Sequence, residues 1–306
     1  MKLAVTIDVE EEGLFSGRYE SRNVPVENIA HLTRLDPIFR EWAIAPTLLL
    51  THPVASAKRH RDLLLKLKQQ WNAEIGAHLH PWNTPPLQTL PHPEPVPSER
   101  IPRELLEAKL QSLLQSIRQM GVAPTSFRMG RFDFGPKIFS LLETAGILVD
   151  SSVAPMRRFQ SGPGRLAAPS DPYFPDPEDP RRPGRSPVLE APITILPLLP
   201  HLGSWLEHAP LPSSWSAQFA MHLGSLSAQP MNASLAHLKA AVRLHHHRGG
   251  QVLTVYFHSS ELMPSGCPRH QTPQDVERFL AKLRGFLAWL HRKMPVESRT
   301  LSQLKP

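Results

Sequence analysis

Leu3-Ala4-Val5-Thr6-Ile7 runs into Asp8, and Val252-Leu253-Thr254-Val255-Tyr256-Phe257 runs into His258. Three more stretches share this shape. Glu74-Ile75-Gly76-Ala77 leads to His78-Leu79-His80, Thr125-Ser126-Phe127 to Arg128, and Ile147-Leu148-Val149 to Asp150. Short aliphatic runs separated by longer helical patterns indicate βα units around a parallel sheet. In a barrel of such units, the side chains at the C-terminal strand ends meet at one mouth, where catalysis is sited. An ionisable residue there on one strand means little. On five strands it marks an active site.

Working outward, Pro25 to Trp42 places Ile29, Leu32, Leu35, Ile38 and Phe39 at a helical period. Pro46 to Leu50 reads as a second strand and Ala57 to Trp71 as a helix with Leu63, Leu64 and Leu67 inward. Arg103 to Met120 puts Leu106, Leu110, Leu113 and Ile117 on one face and closes on Gly121. Phe134 to Ala145 is a helix stopped by Gly146, Val188 to Ile193 a strand, and Ser234 to His247 a helix ended by Gly249-Gly250. Thr272-Pro273 reads as an N-cap with proline at N1, followed by inward Phe279, Leu283, Phe286 and Leu290. Thr300-Leu301 is expected to be a closing strand. About seven strands alternating with helices predict an incomplete, distorted (β/α) barrel, one domain over residues 1–306. Two proline-rich stretches, Pro81 to Pro102 and Gly162 to Pro187, are expected to wall a substrate groove.

Composition excludes several classes. The start, Met1-Lys2-Leu3-Ala4-Val5-Thr6-Ile7-Asp8, meets charge too soon for a secretory signal, and no apolar run is long enough for a spanning helix. The lone Cys267 excludes an internal disulfide and fits a reducing compartment, so a soluble cytoplasmic protein is expected. A net charge of +7 raises nucleic acid as a partner. The basic residues are dispersed, however, without interleaved stacking aromatics, so neither nucleic acid nor a membrane span is expected. Phosphate-binding glycine loops are absent from the sequence.

Asp8 and Glu10, two apart on an extended segment, project to one side and suit a general base or a hard cation ligand. Glu10-Glu11-Glu12-Gly13 also reads as an ordinary acidic turn. His78 and His80 have the same spacing, and Pro81-Trp82 turns the chain after them, giving two imidazoles at a ready metal edge. Arg128 and Arg131 flank Met129-Gly130 and could keep a carboxylate ionised. Asp150, with Ser151-Ser152, could orient a histidine or cap a helix. His258 is a natural general acid, with polar partners in Ser259-Ser260-Glu261. His245-His246-His247 cannot converge on one ion from a helix, and Cys267 has no nucleophile motif around it.

The order of these clusters resembles the polysaccharide deacetylase family, the NodB-homology carbohydrate esterases, over Thr6 to Leu304. Thr6-Ile7-Asp8-Val9-Glu10 is similar to the family's first motif, Glu74 to His78 to the approach of its histidine motif, and Phe127-Arg128-Met129-Gly130-Arg131 to its arginine motif. Asp150 fits the aspartate motif and Phe257-His258 the last histidine motif. The resemblance implies a distorted barrel of about seven strands in which a water activated on a metal attacks an acetamide. Val9 stands where the family has its second aspartate, and Trp82 where it has its second histidine. Glu10 and His80 are offered as substitutes. Relatives with an Asp-x-Glu first motif include enzymes acting on allantoin.

These readings lead to one expectation: hydrolysis of a linear amide, the N-acetyl group of an amino sugar in a polysaccharide or its precursor. Asp8 is the base, held ionised by Arg128 or Arg131, and His258 is the acid, oriented by Asp150. The metal ligands are drawn from His78, His80, Glu10 and Asp8, and zinc is the expected divalent ion. The alternatives are an allantoinase-like amidohydrolase on a small amide and an inactive barrel that binds glycan.

Overall fold

The computed structural model describes residues 1–158, 166–208 and 221–305. Its strands are β1 Lys2–Val9, β2 Thr47–Leu50, β3 Glu74–Leu79, β4 Ser126–Met129, β5 Val149–Asp150 and β6 Leu189–Glu190. They continue with β7 Ile195–Pro197, β8 Ser225–Ser227, β9 Val252–His258 and β10 Glu297–Ser298. Seven of them form a curled parallel half-barrel in the order β9-β1-β2-β3-β4-β5-β6, and β10 adds a short parallel pairing at Lys2 and Leu3. β7 and β8 make a separate antiparallel pair. Just past β6, the Thr194 N–H donates to the Thr254 carbonyl (3.1 Å), and its hydroxyl accepts the Thr254 N–H (2.8 Å). These two bonds tie the edge of the half-barrel back toward β9.

Alternation along β1 decides what faces where. Leu3, Val5, Ile7 and Val9 belong to the main core, whereas Ala4 packs with Leu49, Val149 and Leu301 in a smaller apolar cluster. Thr6 and Asp8 follow Ala4 on that second face, toward the mouth. Burying each of the large aliphatic residues contributes about 1.5–3 kcal/mol.

Eight described helices accompany the strands: α1 Asp36–Glu41, α2 His52–Ser56, α3 Lys58–Gln70, α4 Arg103–Arg118, α5 Pro136–Thr144, α6 Leu202–His208, α7 Leu235–His247 and α8 Pro273–Lys293. The Thr272 cap forms as the sequence implies, since its hydroxyl accepts from the Asp275 N–H and the Asp275 carboxylate takes the Thr272 N–H. Gly121 and Gly146 close α4 and α5 at φ of 82° and 79°. Three expectations need correction. Pro25 to Trp42 is a 3₁₀ stretch, Glu27–Leu35, that becomes regular helix only at Asp36-Pro37, where proline suits a helix start. The strand expected over Val188 to Ile193 is only β6, because Pro192 has no N–H to continue the ladder. The closing strand is Glu297–Ser298; Leu301 instead turns into the apolar cluster, and its N–H goes to the Thr47 hydroxyl.

The proline-rich stretch after His80 is pinned to α4 by buried Lys109, whose ammonium donates to the carbonyls of Thr84 (2.7 Å) and Pro86 (2.8 Å). Residues 162–165 of the second proline-rich stretch lie outside the described residues. No helix among the described residues is long and apolar enough to cross a membrane.

Candidate active site

Parallel register assembles the mouth. Asp8 of β1 is level with His258 of β9, and His78 of β3 with Arg128 of β4. Arg128 has no exposure, and an unpaired buried guanidinium would be prohibitive. Its N–H groups therefore go to Asp8 Oδ1 (2.5 Å), Thr6 Oγ1 (2.9 Å), Ser151 Oγ (2.8 Å) and the Ser151 carbonyl (2.8 Å). Burial alone would raise the Asp8 pKa. The charge and hydrogen bond of Arg128, with the charge of His258, overcome that and hold the carboxyl below its ordinary value.

His258 Nε2 lies 3.9 Å from Asp8 Oδ2. Its Nδ1 is 2.7 Å from Glu261 Oε1, which also accepts the His258 backbone N–H (3.1 Å). Burial opposes charge on this ring, but the carboxylates of Glu10, Glu261 and Asp8 prevail and raise its pKa to about 10. The mouth thus carries an ionised acid facing an imidazolium.

Between these strands, His78 Nδ1 sits 3.0 Å from the Arg128 carbonyl, and His80 Nδ1 sits 2.8 Å from Glu11 Oε1. A carbonyl only accepts, so His78 carries its proton on Nδ1. Burial would push Glu11 up, but the adjacent His80 ring and its hydrogen bond hold it below its ordinary value, so it is an ionised acceptor. His80 therefore also donates from Nδ1. Both Nε2 lone pairs then face inward, 3.1 Å apart, with Glu10 Oε2 3.6 Å from each. Burial, opposed by His258 and His80, raises Glu10 to about 7.

Two lone pairs turned together around a buried carboxyl are a cation site. Glu10, His78 and His80 are the one group of metal-ligating side chains found among the described residues. Ligands about 2.05 Å from a tetrahedral ion stand about 3.3 Å from one another. The separations of 3.1, 3.6 and 3.6 Å bracket that value, so the residues fit a divalent ion with an open fourth position.

His80 is held on every side. Trp82 stacks on its ring (4.2 Å between centroids, 26°), and Asn83 donates to the same Glu11 oxygen. On the ring's edge lies Gly130, where a Cβ would come within 2.4 Å of His80 Cδ2. Glu11 and Gly130 carry no chemical signal in the sequence. Glu11 reads as part of an acidic turn, and it is the bend after β1 that swings it to His80.

Three expected placements differ. Asp8 stands outside the three-donor group, and its Oδ1 is taken by Arg128. Arg131 does not share the work of Arg128; it holds a left-handed conformation (φ 58°) and lies over the Tyr19 ring, 5.1 Å from its centroid. Asp150 is not the partner of His258, whose Nδ1 belongs to Glu261. Asp150 instead accepts from Ser152 and pairs with Glu190. His245 is structural, its Nε2 donating to the Val252 carbonyl (2.8 Å).

No family model matches the sequence, and no curated protein does. Solved structures do match. A Mycobacterium smegmatis protein assigned as a polysaccharide deacetylase superposes with a TM-score of 0.58 at 18% identity, covering 99% of this chain and 89% of its own. A Parabacteroides distasonis protein assigned as a glycoside hydrolase/deacetylase gives 0.67 at 13% identity, with 99% and 70% covered. The chain has the polysaccharide-deacetylase fold. PuuE allantoinase shares this fold too, with a TM-score of 0.55 at 16% identity and 99% and 88% covered. At such identities the likeness is one of fold, and the chemistry rests on the residues at the mouth.

Proposed function

We propose that this protein hydrolyses the N-acetyl group of an amino sugar in a polysaccharide or its precursor. The observation that carries the reading is the single mouth where Arg128-bound Asp8 and Glu261-bound His258 flank Glu10, His78 and His80. Arg128 takes Asp8 Oδ1 and leaves Oδ2 3.9 Å from His258 Nε2, close enough for both to reach one water or leaving amine placed beside them. Asp8 would accept the proton of the attacking water. His258, protonated at neutral pH, would give its Nε2 proton to the departing nitrogen while Glu261 holds Nδ1. A divalent ion held by Glu10, His78 and His80, with zinc favoured by two imidazoles and a carboxylate, would polarise the carbonyl and acidify the water. That suits a base as weak as Asp8.

Glu10 and His80 support an active barrel over an inactive one, since they supply donor atoms that Val9 and Trp82 lack. The small-amide reading is favoured by one observation, the near-complete burial of Asp8, His78 and His80. Metal analysis of the purified protein, with acetate release from N-acetylglucosamine oligomers and hydrolytic ring opening of allantoin, tests both. Bound metal and acetate, both lost in His78→Ala, are the expected result. Allantoin turnover without acetate would replace the sugar reading, and neither activity would refute both.

A further inference from the structure

We propose that residues 13–23 form a strap over the mouth that admits an acetamido sugar only at the end of a chain. This rests on the deacetylase reading above. Gly13 (φ 87°) and Gly17 (φ 77°) bracket a one-turn 3₁₀ segment, Leu14–Ser16. At neither glycine would a Cβ touch anything, so it is the left-handed backbone that calls for glycine there. From this turn Phe15 meets the His258 ring edge-on, with centroids 5.4 Å apart at 88°. Four residues later Tyr19 meets Trp82 edge-on at 5.0 Å, and Trp82 is the ring stacked on His80. One short segment therefore touches the acid on β9 and the histidine wall that follows β3, with β1 and β2 between them.

The anchor at the far end is over-determined. Arg131 lies over Tyr19, and both Arg131 (φ 58°) and Phe132 (φ 53°) are left-handed without being glycine. Such conformations cost about 1–2 kcal/mol each and persist where the surroundings impose them. The catalytic side chains below are correspondingly hidden. Asp8 and His80 keep 2% of their side-chain exposure, His78 3% and His258 16%. A sugar within a polymer has chain leaving it on two sides, and both exits must stay open while its acetamide reaches Asp8 and His258. The strap occupies one of them. A terminal sugar needs only one exit.

Beside the strap is a cavity of about 600 Å³, lined also by Met263, Gly266 and Gln271. That volume falls within the range of small-ligand sites. Phe15 is a wall of this cavity as well as the neighbour of His258, so its ring stands between a sugar seated there and the acid. Phe15 and Met263 offer apolar surface, and Glu12 and Gln271 offer hydrogen bonds, as the two faces and the hydroxyl edge of a sugar require.

The test compares wild type with Phe15→Ala/Tyr19→Ala on N-acetylglucosamine, its hexamer and a long soluble N-acetylated polymer, with the deacetylated positions read by mass spectrometry. Hydroxyl-radical footprinting of His258, which follows solvent access rather than protonation, reports independently whether the strap has opened. Wild type should release acetate from the monomer and from terminal sugars only. The variant should raise the internal-to-terminal ratio about tenfold or more and modify faster at His258. Internal sugars deacetylated by wild type at the terminal rate would overturn the proposal, as would an unchanged ratio in a variant whose His258 reacts faster. An unchanged His258 reactivity would show that these rings do not cover the site, and would also overturn it. Absence of acetate from every substrate with both proteins would refute the deacetylase reading, and the selectivity with it.

Discussion

Replacing Gly130 by alanine adds one methyl group at the point where the His80 ring comes closest to backbone. The new carbon would lie 2.4 Å from His80 Cδ2, 2.8 Å from the Leu79 carbonyl oxygen and 3.1 Å from His80 Nε2. Non-bonded carbons settle at about 3.5–4.0 Å, so roughly 1 Å of separation must be found. Leu79 cannot supply it, being fixed in register with Met129. The ring cannot retreat freely either, because Trp82 covers one face and Glu11 holds Nδ1. His80 must therefore rotate or slide, and its Nε2 leaves the position it shares with His78 and Glu10. Disturbing the support of a ligating histidine typically costs about 10–100-fold in metal affinity. A 1 Å error in a catalytic constellation costs about 100-fold in rate. Overpacking should also lower stability by about 1–3 kcal/mol.

Competition of the apoprotein against a chromogenic chelator gives the affinity directly, and circular dichroism checks the fold. The control is Gly121→Ala. There the backbone is left-handed (φ 82°) and a Cβ touches nothing, so about 1–2 kcal/mol of strain should appear with no change in metal affinity. Were Gly130→Ala to bind zinc as tightly as wild type, His80 would not be a ligand. Were Gly121→Ala to weaken zinc equally, general destabilisation would explain both.

Asp8→Asn should lower kcat by at least about 100-fold while keeping its circular dichroism spectrum, since general base catalysis contributes about 10²–10⁴-fold; near-normal turnover removes Asp8 as base. Glu11→Gln keeps the shape around His80 but removes the charge on Nδ1, and zinc affinity should fall by about 10-fold or more in the same competition assay. His258→Ala should lose most activity on an acetamide and much less on an activated anilide, whose leaving group needs little protonation; equal losses would refute the acid role. The raised His258 pKa also predicts a stability profile. A group whose folded pKa exceeds its unfolded value stabilises fully below about 6.5 and loses that contribution as pH rises through about 10. The urea midpoint of the apoprotein should fall across that window, and less steeply in His258→Gln.

The half-barrel was legible because each strand end couples apolar alternation with an abrupt charge. Asp8, His78, Arg128 and His258 needed only that rule, because regular strands carry it to their last residue. Legibility stops where regular structure stops. His80 and Glu11 both lie just past a strand end, so their meeting depends on two bends that no periodicity describes. Arg131 fails for the same reason, since a left-handed turn after β4 swings it outward to Tyr19 while Arg128, three residues earlier, points inward. Proline explains the shortened β6, and a local hydrogen bond to Thr47 explains why Leu301 folds in rather than extending the sheet.

Asp150 shows that a charge at a strand end need not face the substrate. Its register partner across β5 and β6 is Glu190, and both are fully buried. One oxygen of each is satisfied, Asp150 Oδ1 by the Ser152 hydroxyl and Glu190 Oε1 by the Val153 N–H. The other two, Asp150 Oδ2 and Glu190 Oε2, have no donor of their own, so the pair is satisfied only by a proton held between them. Burial raises both groups, and the mutual repulsion of two carboxylates raises Glu190 further, which favours holding that proton. The dyad then fixes the Ser151-Ser152 segment, whose carbonyl and hydroxyl bind Arg128 and whose second hydroxyl takes the Met129 N–H. Arg128 in turn holds Asp8. The carboxyl of Asp150 thus acts two bonds back from the chemistry, on the arginine that keeps the base ionised, while the histidine it was expected to orient is served by Glu261.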